Sequence, residues 1–384
     1  MRYRKFGRLN WEVSVLGFGA MRLPLVSNKP EDVNEEEAIK MIRYAIKHGV
    51  NYVDTAYPYH DGKSEVVVGK ALQDGYGEHI KLATKMPTWL VKSQSDMDKF
   101  LEEQLGKLQA NHIDFYLLHG LDKERWPKIR NLGVFDWAEN KIAKGKIRYL
   151  GFSFHDELPL FKEIVDSYDD WSFCQIQYNY MDTKFQAGTE GLRYAASKGL
   201  AVVIMEPIAG GMLAVEPPRE IQTIWDEAKI KRTPAEWALQ WVWNHPEVSV
   251  VLSGMSTMDQ IIQNIESADH SGAGTLTRKE LNIISRVKEK YLEYGFIGCT
   301  GCRYCMPCPQ GVEIPEIFSL YNQYFKKTRE GGQGKEISKK YSEVIPAEKG
   351  AKRCAQCGQC EDKCPQHLPI REALDKALWV FENK

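Results

Sequence analysis

Eight of the nine cysteines in this 384-residue chain lie between residues 299 and 364, and their spacing limits what this region can fold into. They form two runs of Cys-x2-Cys steps, and each run ends in a Cys-Pro pair. The charged amino terminus lacks the apolar segment of a secretory signal, so we expect a cytoplasmic protein with reduced thiols. Clustered cysteines in such a chain indicate metal ligands. Cys174 stands apart in an apolar run, where a buried apolar role is expected.

The second run, Cys354-x2-Cys357-x2-Cys360-x3-Cys364-Pro365, has the spacing of the bacterial ferredoxins. In that arrangement the first three thiolates bind one [4Fe–4S] cubane and the fourth binds the other cubane. Zinc is the alternative, because Cys-x2-Cys pairs also bind zinc. Three consecutive steps that end in Cys-Pro are unusual for zinc, so the run predicts cubanes.

The first run, from Cys299 to Cys308-Pro309, is one residue shorter in its last gap. Cys308 is therefore the weakest ligand assignment, and a single cluster with spare thiols stays open. Two cubanes usually transfer single electrons, and stabilising a small domain is the alternative role. Crossed ligation assigns the cysteines to cluster one (Cys299, Cys302, Cys305, Cys364) and cluster two (Cys354, Cys357, Cys360, Cys308).

A strand followed by an amphipathic helix recurs eight times before residue 270, at intervals of roughly thirty residues, about the length of a βαβ unit. This repeat predicts an α/β fold, a (β/α)8 TIM barrel. An open doubly wound sheet is the rival, but no Gly-x-Gly-x-x-Gly follows the first strand, where Gly17-Phe18-Gly19 is interpreted as a tight turn. The predicted strands are Val13–Leu16, Val50–Val53, Ile80–Thr84, Phe115–Leu118, Ile147–Gly151, Phe173–Gln177, Ala201–Met205 and Val248–Leu252.

Capping signals predict several helix ends. Glu35–Lys47 ends before a glycine, Ser95–Leu108 begins at a capping serine, and Thr233 starts a capping box. A Gly/Ser-rich stretch near residue 272 and a capped helix at Thr277 precede the cysteines. Between the two cysteine runs, Ile314–Tyr341 is helical in pattern with a glycine-rich turn. We therefore expect a barrel over residues 1–285 and a small, mostly helical, ferredoxin-like iron–sulfur domain over residues 286–384.

Polar, titratable side chains follow three successive predicted strands, at the barrel rim where active sites lie. Asp54 and Tyr59 follow the second strand, Lys85 ends the third and His119 ends the fourth. A carbonyl oxygen that receives a hydride needs a proton donor. Tyr59 suits that role if the Lys85 ammonium lowers its pKa from about 10 and Asp54 anchors the lysine. His119 would then orient the carbonyl by a hydrogen bond.

These residues lie in a set of short segments that occur in order along the chain: Asn51-Tyr52-Val53-Asp54-Thr55-Ala56-Tyr57-Pro58-Tyr59, Ser64-Glu65, Val68-Gly69, Ala83-Thr84-Lys85, Ile113-Asp114-Phe115-Tyr116-Leu117-Leu118-His119, Gly151-Phe152-Ser153 and Gln175-Ile176-Gln177-Tyr178-Asn179. The segments resemble those of the aldo-keto reductases, and the whole chain resembles the branch of that family with a C-terminal ferredoxin-like [4Fe–4S] domain. The resemblance runs from residue 1 to about 268 and implies a (β/α)8 barrel that binds a nicotinamide cofactor. It also implies that Ser153 and Gln175 contact the carboxamide, with Asn179 in support.

Some positions depart from the pattern of the resembled family. Met205 stands where many members stack a tyrosine on the nicotinamide. After Ser253, Gly254 and Gln260 replace the lysine and arginine that hold a 2′-phosphate in NADPH-specific members, so NADH and NADPH both stay open. Asn264 is available for the adenine. The glycine-rich segment that contains Gly210 resembles the family's cofactor-gripping loop.

Three further residues follow strands at the same rim. Trp89 is interpreted as a wall of the substrate pocket or as packing between loops. His60 and His155 are interpreted as exposed loop residues, with substrate contact as the alternative.

The sequence therefore predicts an oxidoreductase that reduces an aldehyde or ketone, or oxidises the alcohol, with NAD(H) or NADP(H). A hydride carries two electrons whereas a cubane accepts one, so a flavin and a ferredoxin-like redox partner stay open. A non-enzymatic electron-transfer or redox-sensing protein is the remaining alternative. The net charge of −1 favours neither nucleic acid nor an anionic membrane as a partner, and no apolar run approaches the length of a membrane span.

Overall fold

A closed barrel of eight parallel strands is the centre of the fold in the computed structural model, which describes residues 1–27 and 29–382. The barrel order is β3-β4-β5-β6-β7-β8-β9-β10, and β10 pairs with β3 to close it. The predicted (β/α)8 barrel is confirmed. The strands are β1 Tyr3–Lys5, β2 Glu12–Ser14, β3 Leu16–Gly19, β4 Tyr52–Asp54, β5 Lys81–Met86, β6 Ile113–Leu121, β7 Ile147–Phe154, β8 Phe173–Gln177, β9 Ala201–Met205 and β10 Val248–Ser253.

Helices follow the barrel strands and continue through the cysteine region. None of those in residues 1–27 and 29–382 is long and apolar enough to cross a membrane. They are α1 Glu35–Lys47, α2 Lys63–Ala71, α3 Gln94–Leu108, α4 Arg125–Asn131, α5 Val134–Ala143, α6 Leu158–Asp166, α7 Gly188–Ser197, α8 Arg219–Trp225, α9 Pro234–Trp243, α10 Met258–Asp269, α11 Arg278–Tyr294, α12 Ile314–Arg329, α13 Lys335–Val344, α14 Gln359–Asp362 and α15 Ile370–Phe381.

The capping signals fix most of the predicted helix ends. Thr277 and Glu280 form a reciprocal capping box at the start of α11, and the Thr233 hydroxyl accepts a hydrogen bond from the main chain of Glu236. The serine that caps α3 is Ser93 rather than the predicted Ser95. Asp96 explains the difference, because its carboxylate accepts hydrogen bonds from the main-chain N–H and the hydroxyl of Ser93.

The prediction for the first barrel strand was wrong by about three residues. Val13 belongs to a two-stranded hairpin, and the barrel strand is Leu16–Gly19, which includes the stretch interpreted as a turn. The glycines there serve packing, because a Cβ on Gly17 would lie 2.8 Å from a methyl group of Leu252. A strand inside a crowded barrel can use glycine to make that room.

The hairpin of β1 and β2 closes the amino-terminal end of the barrel with apolar side chains. Phe6 is fully buried, and its ring lies 4.6 Å from that of Phe115. The next residue, Gly7, has a φ of +54°, and a Cβ there would lie 2.4 Å from the main-chain nitrogen of Ala201. Asp54 and Lys85 lie toward the opposite, carboxyl end of the strands, where active sites of such barrels are found.

The chain divides into two compact units. The first consists of Met1–Pro207 and Leu239–Leu276, and it contains the whole barrel sheet. The second consists of Ile208–Ala238 and the chain from Thr277 onward. The segment that follows β9 thus belongs to the unit that contains the clustered cysteines.

The second unit has a core of its own. Helices α12, α13 and α15 bury apolar side chains such as Phe318 and Leu374 against each other. Helix α11 is tied to the segment after β9 by ion pairs, in which Arg232 lies 2.6 Å from Glu280 and Arg286 binds both carboxylate oxygens of Glu227. The Arg232 pair is largely buried, so it fixes this segment more firmly than a surface pair would.

Replacing Phe6 by alanine tests whether the hairpin stabilises the barrel. We expect a loss of about 3–5 kcal/mol in the free energy of unfolding, because the ring is fully buried among aromatic neighbours. Urea denaturation followed by tryptophan fluorescence measures it. Tyr3→Ala, at a half-exposed position of the same hairpin, is the control and should lose less than about 1 kcal/mol. Equal losses in the two variants would show that the hairpin end is not part of the core.

Candidate active site

The ammonium group of Lys85 is the centre of a polar cluster at the carboxyl ends of β4, β5 and β6. All three of its N–H bonds have acceptors: Asp54 Oδ1 at 2.6 Å, the Thr55 carbonyl oxygen at 2.7 Å and the Tyr59 hydroxyl at 3.4 Å. Lys85 is completely buried, and Tyr59 is 9% exposed. The strand ends thus bring together the predicted lysine, aspartate and tyrosine.

Burial and pairing act in opposite directions on this ion pair. Burial lowers the pKa of Lys85, and the Asp54 carboxylate partly restores it. Burial likewise raises the pKa of Asp54 against the effect of the ammonium. Hydrogen bonds to both partners help to offset the cost of burying such a pair. The second carboxylate oxygen of Asp54 has no hydrogen-bond partner among the residues that the structure describes.

A further set of buried polar groups holds strand β5, which carries Lys85, in place. The Gln104 amide donates to the Lys85 carbonyl oxygen at 3.0 Å and to Glu65 at 2.6 Å, and it accepts a hydrogen bond from Tyr116 at 2.7 Å. Gln104 was not among the residues predicted from the sequence. A signal existed, because Gln104 is a polar residue on the otherwise apolar buried face of α3.

His119 lies beside this cluster, near the carboxyl end of β6. Its ring centre is 6.1 Å from that of Tyr59 and 5.1 Å from that of Trp89. Burial, and then the positive charges of Lys85 and Arg125, hold the pKa of His119 well below 6.5, so the imidazole is neutral. Its Nδ1 has no hydrogen-bond partner in residues 1–27 and 29–382.

The Trp89 ring packs beside His119. The Arg125 guanidinium also lies close to this ring, 5.4 Å from its centre. Arg125 is fixed by the Gly120 carbonyl oxygen at 2.8 Å and by Asp122 at 3.3 Å. Arg125 was not predicted from the sequence, because it lies on a helix several residues after its strand.

His60 corrects one interpretation of the rim. It is buried rather than exposed, and its Nε2 accepts a hydrogen bond from the Leu23 main chain at 3.0 Å while Nδ1 contacts the Pro30 carbonyl oxygen at 2.9 Å. Both ring nitrogens therefore bind main-chain groups of the loop between β3 and α1 and hold that loop in place. His155 is half-buried, and its main-chain N–H donates to Leu121.

Ser153, Gln175 and Asn179 lie together at the ends of β7 and β8, where Ser153 is paired with Gln175 in register. The Gln175 amide nitrogen donates to the Met205 sulfur at 3.6 Å, and its carbonyl oxygen is buried without a partner in the described part of the chain. The Asn179 amide donates to the Glu206 carbonyl oxygen at 3.0 Å. The Gln175 carbonyl oxygen can thus accept a hydrogen bond from an amide N–H group. Asn179 instead stabilises the chain at the end of β9.

The residues predicted to bind the cofactor at and after the end of β10 form hydrogen bonds with one another or with their neighbours. Asn264 donates to the Ser253 hydroxyl at 3.0 Å, and the Gln260 carbonyl oxygen accepts from the Ser256 main chain at 2.8 Å. The space above Gly254 is taken by Arg22, since a Cβ on Gly254 would lie 3.2 Å from carbon atoms of the Arg22 side chain. The aliphatic part of the Arg22 side chain, from the turn after β3, therefore packs beside Gly254, and its guanidinium lies 4.0 Å from the Glu206 carboxylate.

Four of the clustered cysteines surround one pocket of the second unit. Cys299, Cys302, Cys305 and Cys364 line one pocket together with Ile314 and Phe318. Burial, followed by the neighbouring cysteines, raises the pKa of Cys305 to about 12. Cys360 lies near Cys354, and burial raises its pKa to about 11. Four sulfurs around one apolar-walled pocket suit a cubane.

The other cysteines and the glycine that were singled out in the sequence lie in different parts of the chain. Cys308 packs against the apolar core of the second unit, and Cys357 is exposed. Gly210, predicted to bind the cofactor, lies against Thr300 in the second unit. Cys174 is fully buried in β8, as expected for an apolar role.

Comparison with known proteins agrees with both parts of the site. The profile described as "Aldo/keto reductase family" matches residues 15–289, and the one described as "4Fe-4S dicluster domain" matches residues 296–368. The uncharacterized oxidoreductase YqkF of Bacillus subtilis is 26% identical over 314 residues, which cover 74% of this chain and 95% of that protein. The L-galactose dehydrogenase of Arabidopsis thaliana is 27% identical over 308 residues, 74% of this chain and 94% of that enzyme.

A solved structure supports the same conclusion. The holo form of aldo-keto reductase AKR11C1 from Bacillus halodurans superposes with a TM-score of 0.63 at 27% identity, covering 75% of this chain and 96% of that one. The family profile alone spans more than half of the chain. The chain therefore belongs to the aldo/keto reductase family, and a 4Fe-4S dicluster domain follows its barrel in the sequence.

Proposed function

We propose that this protein reduces an aldehyde or ketone, or oxidises the corresponding alcohol, with a nicotinamide cofactor and with Tyr59 as the proton donor. The observation that carries the proposal is the buried Lys85 ammonium, which contacts Asp54 and the Tyr59 hydroxyl at the same time. The relative named L-galactose dehydrogenase supports alcohol–carbonyl chemistry. The substrate is a small molecule that reaches the rim near Tyr59.

The reduction needs a proton at the carbonyl oxygen. A reduced nicotinamide, held by Ser153 and Gln175, would supply the hydride that the carbonyl carbon accepts. Tyr59 donates its hydroxyl proton to the oxygen, and the Lys85 ammonium, 3.4 Å from that hydroxyl, stabilises the negative charge left on the phenol oxygen. Asp54 keeps the ammonium in position at 2.6 Å. The neutral His119 donates a hydrogen bond that orients the carbonyl.

The residues at the ends of β7 and β8 fit a nicotinamide carboxamide. The buried Gln175 carbonyl oxygen needs a donor, and the carboxamide N–H group is one. Ser153 lies beside it in register, and Asn179 supports the end of β9. Ser253, Asn264 and Gln260 form the candidate surface for the adenosine half. NADH and NADPH both remain candidates, since Gly254 lacks a cationic side chain while Arg22 lies next to it.

We further propose that residues 286–384 form the ferredoxin-like domain and hold two [4Fe–4S] clusters in crossed ligation. The pocket lined by Cys299, Cys302, Cys305 and Cys364 supports the ligand set of cluster one. Cys354, Cys357, Cys360 and Cys308 are the ligands proposed for cluster two. Bound cubanes supply one-electron transfer or rigidity.

Electron exchange with a redox partner such as a ferredoxin is the second candidate function. One observation favours it: Cys357 is exposed, so cluster two would have a ligand at the protein surface. A hydride and a cubane differ in electron number, so a bound flavin would be needed to connect the two. An absorption spectrum of anaerobically purified protein tests for that flavin.

Tyr59→Phe tests the proton donor. We expect kcat to fall by about 10²–10⁴-fold, because general acid catalysis contributes that much, while the Kd of the cofactor changes less than about twofold. Steady-state kinetics and fluorescence titration with NADPH and NADH measure the two quantities. Tyr57→Phe is the matched control, since Tyr57 lies in the same loop but donates to Glu103 instead. Full activity of Tyr59→Phe would disprove the assigned role.

The depressed pKa of His119 makes the stability of the protein depend on pH. The unfolded chain takes up a proton on His119 below about pH 6.5, whereas the folded state does so only at lower pH. The free energy of unfolding of the wild type relative to His119→Gln should therefore fall as the pH drops below 6.5, by at most about 1.4 kcal/mol per pH unit. Urea unfolding at several pH values measures it, and parallel curves would contradict the neutral histidine.

Iron analysis tests the clusters. Two cubanes require about eight iron and eight sulfide ions per chain in anaerobic preparations, and a single cluster requires about four. Cys364→Ser should remove cluster one and about half of the iron, while Cys174→Ala, the control, should keep all of it. Unchanged iron in Cys364→Ser would refute the crossed ligation.

A further inference from the structure

Gln104 is a buried polar residue on a helix face that is otherwise apolar. It lies on α3 and is completely buried. An amide in such a place destabilises the fold unless its donors and its acceptor have hydrogen-bond partners. The contacts of Gln104 therefore decide what a glutamine does at this position. The other buried side chains of this helix are Met97, Phe100, Leu101, Leu105 and Leu108.

The amide of Gln104 joins three neighbouring elements of the barrel unit. Its nitrogen lies 2.6 Å from Glu65 Oε1 on α2, 3.0 Å from the Lys85 carbonyl oxygen on β5 and 3.2 Å from the Thr84 hydroxyl on the same strand. Its oxygen accepts a hydrogen bond from the Tyr116 hydroxyl on β6 at 2.7 Å. The side chain thus fixes the main chain at Lys85 relative to α2 and β6.

Glu65 is the acidic member of this network. It is completely buried, and its Oε1 also accepts a hydrogen bond from the Thr84 hydroxyl at 2.7 Å. The Lys107 ammonium lies 3.5 Å from its other oxygen. Burial lowers the pKa of Lys85, and the carboxylates of Asp54 and then Glu65 act against that fall. Glu65 is therefore a second anion that favours the charged form of Lys85.

The distances at the Lys85 ammonium show how little movement the site tolerates. The ammonium lies 2.6 Å from Asp54 Oδ1 but 3.4 Å from the Tyr59 hydroxyl. Nitrogen–oxygen hydrogen bonds are about 2.7–3.2 Å long, and a contact of about 3.6 Å is no longer a hydrogen bond. A displacement of β5 by a few tenths of an ångström would therefore break the contact with Tyr59 before the contact with Asp54.

We propose that Gln104 is a positioning residue for the proton transfer from Tyr59. It fixes the main chain of Lys85 and thereby keeps the ammonium within hydrogen-bond distance of the Tyr59 hydroxyl. The inference rests on the proposed function. No hydrogen bond joins Gln104 to Tyr59 or to Asp54 in residues 1–27 and 29–382, so Gln104 acts on the tyrosine through Lys85.

The pKa of Tyr59 reports the position of the ammonium. A nearby positive charge favours the phenolate and lowers the pKa of a tyrosine, so an ammonium that moves away lets this pKa rise. The phenolate left after proton transfer is then less stable, and kcat falls. The charged and titratable groups of the elements packed around Lys85 and Tyr59 are Asp54 on β4, Glu65 on α2, Lys107 on α3, and Tyr116 and His119 on β6.

The first test measures the pKa of Tyr59 in Gln104→Leu, which removes the amide and changes no charge. NMR titration of protein labelled at the tyrosine ring carbons gives this pKa without turnover, and Tyr59→Phe assigns the signal. We expect the pKa to rise by at least about 0.5, because a nearby opposite charge shifts a pKa by about 1–3 and the ammonium is only partly withdrawn. Gln240→Leu is the matched control and should leave the pKa unchanged, since Gln240 is a buried helical glutamine that donates to the Ser267 carbonyl oxygen at 2.7 Å.

Tyr116→Phe is a milder second variant, because Gln104→Leu leaves several buried groups without partners. It keeps the amide of Gln104 but removes the hydroxyl that orients it. Burial raises the pKa of Tyr116 well above 10, so this variant also removes no charge. We expect a smaller rise in the pKa of Tyr59, in the same direction. If Gln104→Leu does not fold, an unchanged pKa in Tyr116→Phe overturns the positioning role.

The second test is kinetic and uses benzaldehyde with NADPH or NADH. We expect Gln104→Leu to lower kcat about tenfold or more, with the Kd of the cofactor changed less than about twofold. If Gln104 acts through Lys85, the double variant with Lys85→Met loses no more kcat/KM than Lys85→Met alone. A further loss in the double variant, equal to that of Gln104→Leu by itself, would overturn the positioning role.

The outcomes separate this inference from the proposed function. A pKa of Tyr59 at or above about 10 in the wild type contradicts the proposed activation by Lys85, and this inference with it. A lowered wild-type pKa that stays unchanged in both Gln104→Leu and Tyr116→Phe overturns only the positioning role. An equal rise in Gln240→Leu would also overturn it, because the loss of any buried amide would then suffice.

Discussion

The rest of the candidate site depends on one ion pair, in which the Lys85 ammonium and the Asp54 carboxylate meet inside the barrel rim at 2.6 Å. Removing one partner of such a pair leaves an uncompensated buried charge, which typically destabilises a protein by about 3–5 kcal/mol. The Thr55 carbonyl oxygen and the Tyr59 hydroxyl take the remaining N–H bonds. The lysine therefore fixes the tyrosine and the loop that carries it, and the proposed acid chemistry follows from that position.

The second constraint comes from the division of the chain into two units. A loop that leaves the barrel after β9 is built into the unit with the cysteines, where Gly210 lies against Thr300. Thr300 itself lines the pocket that Cys299, Cys305 and their neighbours form.

Much of this was predictable from the sequence, because strand ends in a parallel barrel converge at one rim. Asp54, Lys85 and His119 each end or follow an apolar run, so their meeting followed from the fold. The cysteine spacing likewise indicated which thiols share a pocket. Gln104 and Arg125 were missed because their roles depend on which helix face meets which strand. The contact of Gly210 with Thr300 joins positions ninety residues apart in the chain, and no local pattern encodes such a contact.

A double-mutant cycle tests the central claim that Lys85 and Tyr59 act as one unit. The value of kcat/KM is measured for the wild type, Tyr59→Phe, Lys85→Met and the double variant with the same carbonyl substrate. If the ammonium acts through the tyrosine, the double variant loses about as much kcat/KM as Tyr59→Phe alone. Losses that multiply would show that the two residues act independently, which would contradict the role of the Lys85 ammonium as the group that activates Tyr59.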